Sequence, residues 1–121
     1  MTLPIITYKY NSVEGADALA KLTDQKLEPL GKFIANNAST TCEVEFEKIA
    51  AHQQGKIHRV EANLLVDGTL HRADAVEESF ELAIDEVRDE LSKKLRRSKD
   101  KSKSLLRRAG LQVKEKFFRG G

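Results

Sequence analysis

Apolar and polar residues alternate in short runs of the chain, which is the pattern of half-buried β-strands. The clearest run is residues 42–47, where Cys42, Val44 and Phe46 alternate with three glutamates. This period of two predicts a strand with one face in the core and an acidic face in water. The β-branched and aromatic residues of segment 4–10 predict an earlier strand.

Two further strands are predicted on either side of a tight turn. Residues 57–66 and 69–75 are both strand-like, and only Asp67 and Gly68 separate them. Asp-Gly is favoured in two-residue type I′ turns because both of its residues take a positive φ there. The sequence therefore predicts a β-hairpin over residues 57–75.

Two segments repeat apolar residues at the three- and four-residue spacing of an amphipathic helix. The first covers residues 19–34, with Asn11 or Ser12 available as a cap near its start and Pro29 expected to kink or end it. The second is longer, and its apolar stripe consists of Phe80, Ile84, Val87, Leu91 and Leu95. The order β-α-β-β-β-α predicts an α+β fold with two helices packed on one face of a four-stranded sheet, similar to a double-stranded-RNA-binding domain.

Charge is divided unevenly along the chain. Residues 1–92 hold nine basic and seventeen acidic side chains, whereas residues 93–121 hold twelve basic and two acidic ones. The first part is therefore net −8 and the second net +10, although the whole chain is only +2. An acidic body with a concentrated cationic arm predicts that a polyanion binds at one end, and nucleic acid is the leading candidate.

The cationic arm continues the last predicted helix. Glu90 and Asp89 can pair with Lys94 and Lys93 at helical spacing, but beyond that point like charges lie four residues apart. We therefore expect the arm to fray without its partner, with residues past about 105 disordered in isolation. The predicted organisation is one α+β domain over residues 1–103, followed by a basic, flexible tail over residues 104–121.

Residues typical of catalysis or metal binding are sparse. Cys42 lies in an alternating apolar pattern and is expected to be a buried small hydrophobe rather than a reactive thiol. His52, His58 and His71 are scattered and are expected to be exposed or hydrogen-bonded bystanders; a metal site formed by His58 and His71 facing each other across the hairpin is not favoured. The sequence thus predicts no enzyme, cofactor, metal or small-molecule substrate. The absence of a transit segment or long apolar stretch predicts a cytosolic protein that does not enter membranes.

Several segments together carry a resemblance to a known family. One is the run Ala-Ile-Asp-Glu-Val-Arg-Asp-Glu-Leu at residues 83–91, which leads into the basic part of the last helix. The others are residues 13–19 and 26–33 in the first helix, and Val-Glu-Phe-Glu-Lys at 44–48. Over roughly residues 3–103 the chain resembles the ribosome hibernation-promoting factors and ribosome-associated translation inhibitors. It resembles a short form, without the dimerisation domain of the longer members.

This resemblance implies a non-catalytic, cytoplasmic protein, monomeric when free, that acts in stress or stationary phase. It would occupy the messenger- and transfer-RNA channel of the small ribosomal subunit, block translation and protect idle ribosomes. The ribosomal RNA contacts that it implies are Lys26, Lys32, Lys93, Lys94, Arg97, Lys99 and Lys101, to which charge alone adds Arg96, Lys103, Arg107 and Arg108. The glutamates at 43, 45 and 47 are expected to point away from phosphates, toward solvent or a ribosomal protein.

Two other functions remain open from the residues themselves. The cationic arm also suits a general structured-RNA-binding or RNA-chaperone module, which would bind many RNAs with similar affinity. A protein-interaction module would instead use the acidic strand face and the apolar residues of the tail, and the basic arm would be incidental.

Overall fold

The structure is a computed structural model that describes residues 4–36, 38–49 and 55–108, with the backbone alone for residues 101–108. Its elements are β1 (Ile6–Asn11), α1 (Ala16–Leu27), a 3₁₀ helix (Glu28–Phe33), β2 (Thr40–Lys48), β3 (His58–Val66), β4 (Thr69–Glu77) and α2 (Phe80–Arg108). The predicted α+β class and the order β-α-β-β-β-α are confirmed.

The four strands form one sheet in the order β1-β2-β3-β4. β1 runs parallel to β2, and the other neighbours are antiparallel. At the turn between β3 and β4, Asp67 has a φ of 47° and Gly68 a φ of 84°, which confirms the predicted hairpin with a positive φ at both positions. β4 continues two residues past the predicted end at Ala75, because Val76 and Glu77 still pair with β3.

Both helices cover the same face of the sheet, so the core lies between them and the strands. Cys42, Val44 and Phe46 are buried on that face, as their alternation predicts, and their glutamate neighbours lie on the opposite, open face. The stripe of α2 is buried from Ile84 to Leu95, with Leu91 fully inaccessible and Leu95 4% exposed, whereas Phe80 is partly buried. No helix in the part of the chain that the structure describes is long and apolar enough to cross a membrane.

The start of α1 differs from the prediction, whereas its end does not. The cap position is Gly15, with a φ of 73°, and no side chain caps the helix. Asn11 belongs to β1, where its amide donates to Glu45 Oε2 at 2.7 Å, and Ser12 lies in the link after that strand. The prediction that one of these two caps α1 is therefore wrong. Pro29 does end it, because the chain continues from there as a 3₁₀ helix.

A serine that the sequence reading missed caps α2. The backbone N–H of Leu82 donates to Ser79 Oγ at 3.2 Å, which satisfies a donor that the first turn leaves unpaired. Glu81 lies in that first turn, where a carboxylate interacts favourably with the helix dipole. The cap fixes where α2 begins and hence which of its side chains reach the core.

Candidate nucleic-acid interface

The exposed cations of α2 are concentrated where its core-facing stripe ends. Among the α2 side chains that the structure describes, which end at residue 100, the last core residue is Leu95. From there to Arg108 the helix rises by about 20 Å at 1.5 Å per residue. Four exposed cations surround this point, and we call them the α2 basic cluster: Lys93, Arg96, Arg97 and Lys99. Lys93 and Arg97 lie on the side of α2 opposite its buried stripe, whereas Lys99 follows Leu95 on the side that faces the β3–β4 turn.

Lys94 is among the predicted RNA contacts, but the protein itself binds its ammonium group. Lys94 Nζ donates to the backbone carbonyl of Arg72 on the edge strand β4 and lies 3.4 Å from Glu90. The predicted pair between Glu90 and Lys94 is thus confirmed. The pair predicted between Asp89 and Lys93 does not form in this structure, since Asp89 lies 3.2 Å from Arg88 instead.

Lys26 is also bound within the protein. Its Nζ lies 2.6 Å from Asp85 Oδ1 and 4.0 Å from Glu81, and its side chain is only 20% exposed. Asp85 also contacts Arg88 at 3.4 Å. The pair joins α1 to α2, so Lys26 would have to leave it to bind a phosphate. A direct RNA contact from Lys26 stays a prediction.

Lys32 borders a groove that the sequence reading did not identify. The groove has a volume of about 410 Å³ and lies between the 3₁₀ helix, the β3–β4 turn and α2. Lys32 and Lys99 are both part of its lining, with Phe33, His71 and Leu95. Lys32 Nζ lies 5.1 Å from the centroid of the Phe33 ring, a cation–π distance. Because the lining comes from separate segments, no local motif in the sequence signals the groove.

The remaining predicted contacts lie at the far end of α2. The backbone is helical at positions 101, 103, 107 and 108, so Lys101, Lys103, Arg107 and Arg108 continue the line of the α2 basic cluster. The rest of the predicted tail, residues 109–121, lies outside the described residues. The domain boundary at residue 103 and the fraying of the arm stay predictions.

The open face of the sheet carries the opposite charge. It holds the three glutamates of β2, Glu43, Glu45 and Glu47. Carboxylates of this face also contact Arg59. Arg59 approaches Glu47 at 3.7 Å, Glu61 at 3.0 Å and Asp74 at 3.3 Å. The acidic side chains of β2 and the α2 basic cluster are therefore on opposite sides of the molecule.

The histidines do not form the metal site that was considered for the hairpin. In the register of β3 and β4, His58 pairs with Glu77 and His71 with Leu64, so the two rings do not face each other. Among residues 4–36, 38–49 and 55–100, no group of three His, Cys, Asp or Glu side chains could hold a metal ion. His52 lies outside the described residues.

The remaining reactive side chains are buried or partly buried. Cys42 is 3% exposed, and burial raises the pKa of its thiol to about 12, which confirms it as a core residue. His58 lies 3.3 Å from the carbonyl of Glu77, the hydrogen-bonded position predicted for a bystander. His71 is not one of the exposed histidines that the sequence allowed, because it is only 8% exposed.

Comparisons with known proteins agree with this fold. The model of the family described as sigma 54 modulation protein / S30EA ribosomal protein matches residues 6–103. The Thermus thermophilus Protein Y N-terminal domain superposes with a TM-score of 0.62 at 20% identity, over 80% of this chain and 98% of that one. A ribosomal subunit interface protein from Coxiella burnetii superposes with a TM-score of 0.60 at 21% identity, over 78% of this chain and 97% of that one. No curated protein sequence matches the chain.

Proposed function

Because the chain belongs to the sigma 54 modulation protein / S30EA ribosomal protein family, we propose that it is a ribosome-associated hibernation factor that inhibits translation. In this proposal the basic end of α2 enters the channel of the small subunit that messenger and transfer RNA otherwise occupy. The observation that carries it is the α2 basic cluster, which begins where the helix leaves the core. The protein acts in the cytoplasm, where the ribosomes are, and performs no catalytic step.

The division of charge supports an oriented encounter with RNA. The acidic open face is repelled by phosphates, whereas the basic side of α2 attracts them, so the protein approaches RNA with α2 leading. Cations on a wide arc of a helix favour contacts to several backbone phosphates over reading of bases in one groove. This geometry suits a folded RNA surface that is recognised by shape.

The predicted RNA contacts fall into two groups in this proposal. Lys32 and the α2 basic cluster are exposed and bind phosphates directly, and the basic residues at 101, 103, 107 and 108 extend that contact. Lys26 and Lys94 act mainly by holding α1 and β4 against α2. The cluster thereby keeps a fixed position relative to the sheet when it meets the ribosome.

The decisive experiment is co-sedimentation of the purified protein with separated ribosomal subunits in sucrose gradients. Truncation before the basic arm would remove Leu95, a core residue, so substitutions are preferable. The test variant carries Lys93→Gln, Arg96→Gln and Arg97→Gln. We expect saturable binding of the wild-type protein to the small subunit, and a loss of at least tenfold in affinity for the variant, since each phosphate contact contributes to binding.

The matched control variant removes three exposed lysines elsewhere, with Lys9→Gln, Lys48→Gln and Lys56→Gln. It has the same net charge as the test variant and should bind like the wild type. Equal and unsaturable binding to both subunits would favour the general RNA-binding alternative. If both triple variants bind equally well, the α2 basic cluster is not the interface and the proposal fails.

A further inference from the structure

The groove beside α2 combines an apolar interior with cations at its rim. Val66 and Leu95 belong to its lining, as does the half-buried ring of Phe33. Lys32 and Lys99 are exposed and lie at its border. A volume of about 410 Å³ is within the range of sites that hold small ligands. The combination suits a ligand that is flat and apolar on one side and anionic on the other.

His71 is the most buried polar residue in the lining of this groove. It is 8% exposed and belongs to the lining of the groove. Burial, and then the positive charge of Lys94, lowers the pKa of the imidazole. The ring is therefore neutral at pH 7 and presents one donor and one acceptor. A ligand that offers an acceptor and a donor would match these two groups.

Charge identifies the class of ligand. Lys99 belongs both to the groove and to the α2 basic cluster, so an RNA strand on α2 passes the mouth of the groove. Asp67 also lies at the groove, but its Oδ1 already accepts the N–H of Ser39 at 2.8 Å. The ammonium group of Lys32 lies over the Phe33 ring. If the Lys32 side chain turns outward, the ring becomes a surface on which a base can stack, and the ammonium group reaches a phosphate.

We propose that this groove holds one unpaired nucleotide of the RNA that α2 binds, with the base against Phe33 and Leu95, hydrogen-bonded to His71, and its phosphate between Lys32 and Lys99. The inference rests on the proposed function and adds a site for a single extruded base to it. The contacts to the α2 basic cluster then supply affinity without regard to sequence, and the groove selects RNA that offers an unstacked base.

The test compares two fluorescent RNA hairpins, one fully paired and one with a single bulged nucleotide in its stem. The base of the bulged nucleotide is 2-aminopurine. Anisotropy gives the affinity for each hairpin, and 2-aminopurine emission reports whether the bulged base changes its surroundings. We expect the wild-type protein to prefer the bulged hairpin by about tenfold, the effect of stacking one base, with a change in emission. His71→Leu should lose both the preference and the emission change while binding the paired hairpin as before.

Two further variants separate the groove from a folding effect and from general charge. His71→Gln keeps a donor and an acceptor and should retain part of the preference. Lys99→Gln should weaken binding of the bulged hairpin more than that of the paired one. Lys9→Gln, on the open face, should leave the ratio of the two affinities unchanged. Thermal unfolding of each variant shows that it is folded at the assay temperature.

Several results would overturn the inference. These are equal affinity of the wild type for the two hairpins, a preference that survives His71→Leu, or no binding of either hairpin. A peptide of six glutamates and a phenylalanine that binds the wild type but not His71→Leu would also do so, because the groove would then be a protein site. If the wild-type protein binds small subunits but does not prefer the bulged hairpin, the proposed function stands and only the groove inference fails. If it binds neither small subunits nor hairpins, the proposed function and the groove inference both fail.

Discussion

The predicted RNA-binding lysines differ in whether the protein itself already binds their ammonium group. Lys26 is held by Asp85 at 2.6 Å, and Lys94 by the carbonyl of Arg72, although both belong to the set predicted from the family resemblance. Arg97, in contrast, is exposed on the outer side of α2. Charge and spacing in the sequence do not distinguish these cases, because Asp85 and Arg72 are distant in the chain from the lysines that they contact.

Substitution of Lys26 should therefore affect folding more than binding. We expect Lys26→Gln to lower the free energy of unfolding by about 1 kcal/mol, the upper end for a partly exposed ion pair. Its affinity for the small subunit should fall less than that of Arg97→Gln. Urea denaturation and co-sedimentation measure the two effects. An affinity loss as large as that of Arg97→Gln, with unchanged stability, would show that Lys26 contacts RNA itself.

Tyr8 joins β1 to α1 through its hydroxyl group. The hydroxyl donates to Asp24 Oδ1 at 2.5 Å and lies 3.1 Å from the carbonyl of Ala20. Burial, and then the hydrogen bond to Asp24, raises the pKa of the phenol well above its usual value. The protonated form is thus favoured by folding, and its contribution to stability is present below pH about 10, the unfolded pKa, and is lost as the pH rises further.

The Tyr8→Phe variant tests this contribution. At pH 7 we expect it to unfold with a free energy lower by about 1 kcal/mol, because a hydrogen bond is removed. Above pH about 10 the wild type should lose stability more steeply with pH than the variant, which has no phenol at this position. Urea denaturation at a series of pH values measures both slopes. Parallel slopes would mean that the hydroxyl of Tyr8 ionises as freely in the folded protein as in the unfolded chain.

At the scale of elements, α2 combines a half that packs in the core with a basic half that we propose binds RNA. Its N-terminal half packs through a stripe that ends at Leu95, and its basic half begins at Lys93. The overlap is short, so the rigidity of the first half fixes the direction in which the second leaves the domain. Substitutions in the stripe should therefore act on stability, and substitutions in the α2 basic cluster on binding.

Two leucines of α2 provide a matched comparison. Leu91 is fully buried, whereas Leu82 is 50% exposed. We expect Leu91→Ala to lower the free energy of unfolding by about 2–5 kcal/mol, since it removes buried apolar contacts and leaves a cavity. Leu82→Ala should change it by no more than about 0.5 kcal/mol. Both substitutions have the same effect on helix propensity, so equal losses in urea denaturation would contradict the assigned orientation of α2.

The elements that the sequence predicts well are those encoded by neighbouring residues. The hairpin follows from Asp67 and Gly68, and the end of α1 from Pro29, because φ preferences act within one turn. The predicted cap of α1 was wrong because Asn11 instead bonds to Glu45, a residue that is distant in the chain but lies on the adjacent strand. The groove was not predicted because it too depends on segments that are distant in the chain. Its lining comes from the 3₁₀ helix, the hairpin and α2, and their meeting depends on tertiary packing.

At the scale of the whole molecule, the net charge of +2 conceals two surfaces of opposite sign. The open face of the sheet holds Glu43 and Glu45, and the helical side ends in the α2 basic cluster. A molecule with this division is oriented by a polyanion before it makes contact, which favours productive encounters at low salt. In the proposed function the acidic face points away from the RNA, so that phosphates are bound on one side of the protein.

The salt dependence of binding measures how many phosphates the basic side engages. If about six phosphates are neutralised, the logarithm of affinity should fall with the logarithm of salt concentration with a slope of magnitude about 4–5. The variant with Lys93→Gln, Arg96→Gln and Arg97→Gln should reduce that magnitude by about 2–3, because three contacts no longer release counterions. Small-subunit binding at a series of salt concentrations gives both slopes.

The matched control for this measurement is the variant with Lys9→Gln, Lys48→Gln and Lys56→Gln. Its net charge equals that of the test variant, so any effect of overall charge appears in both. Counterion release, in contrast, depends on which cations touch phosphates. A reduced slope in the test variant alone would therefore locate the RNA contact on α2. The same reduction in both would mean that the molecule binds through its total charge, and that its two surfaces do not orient it.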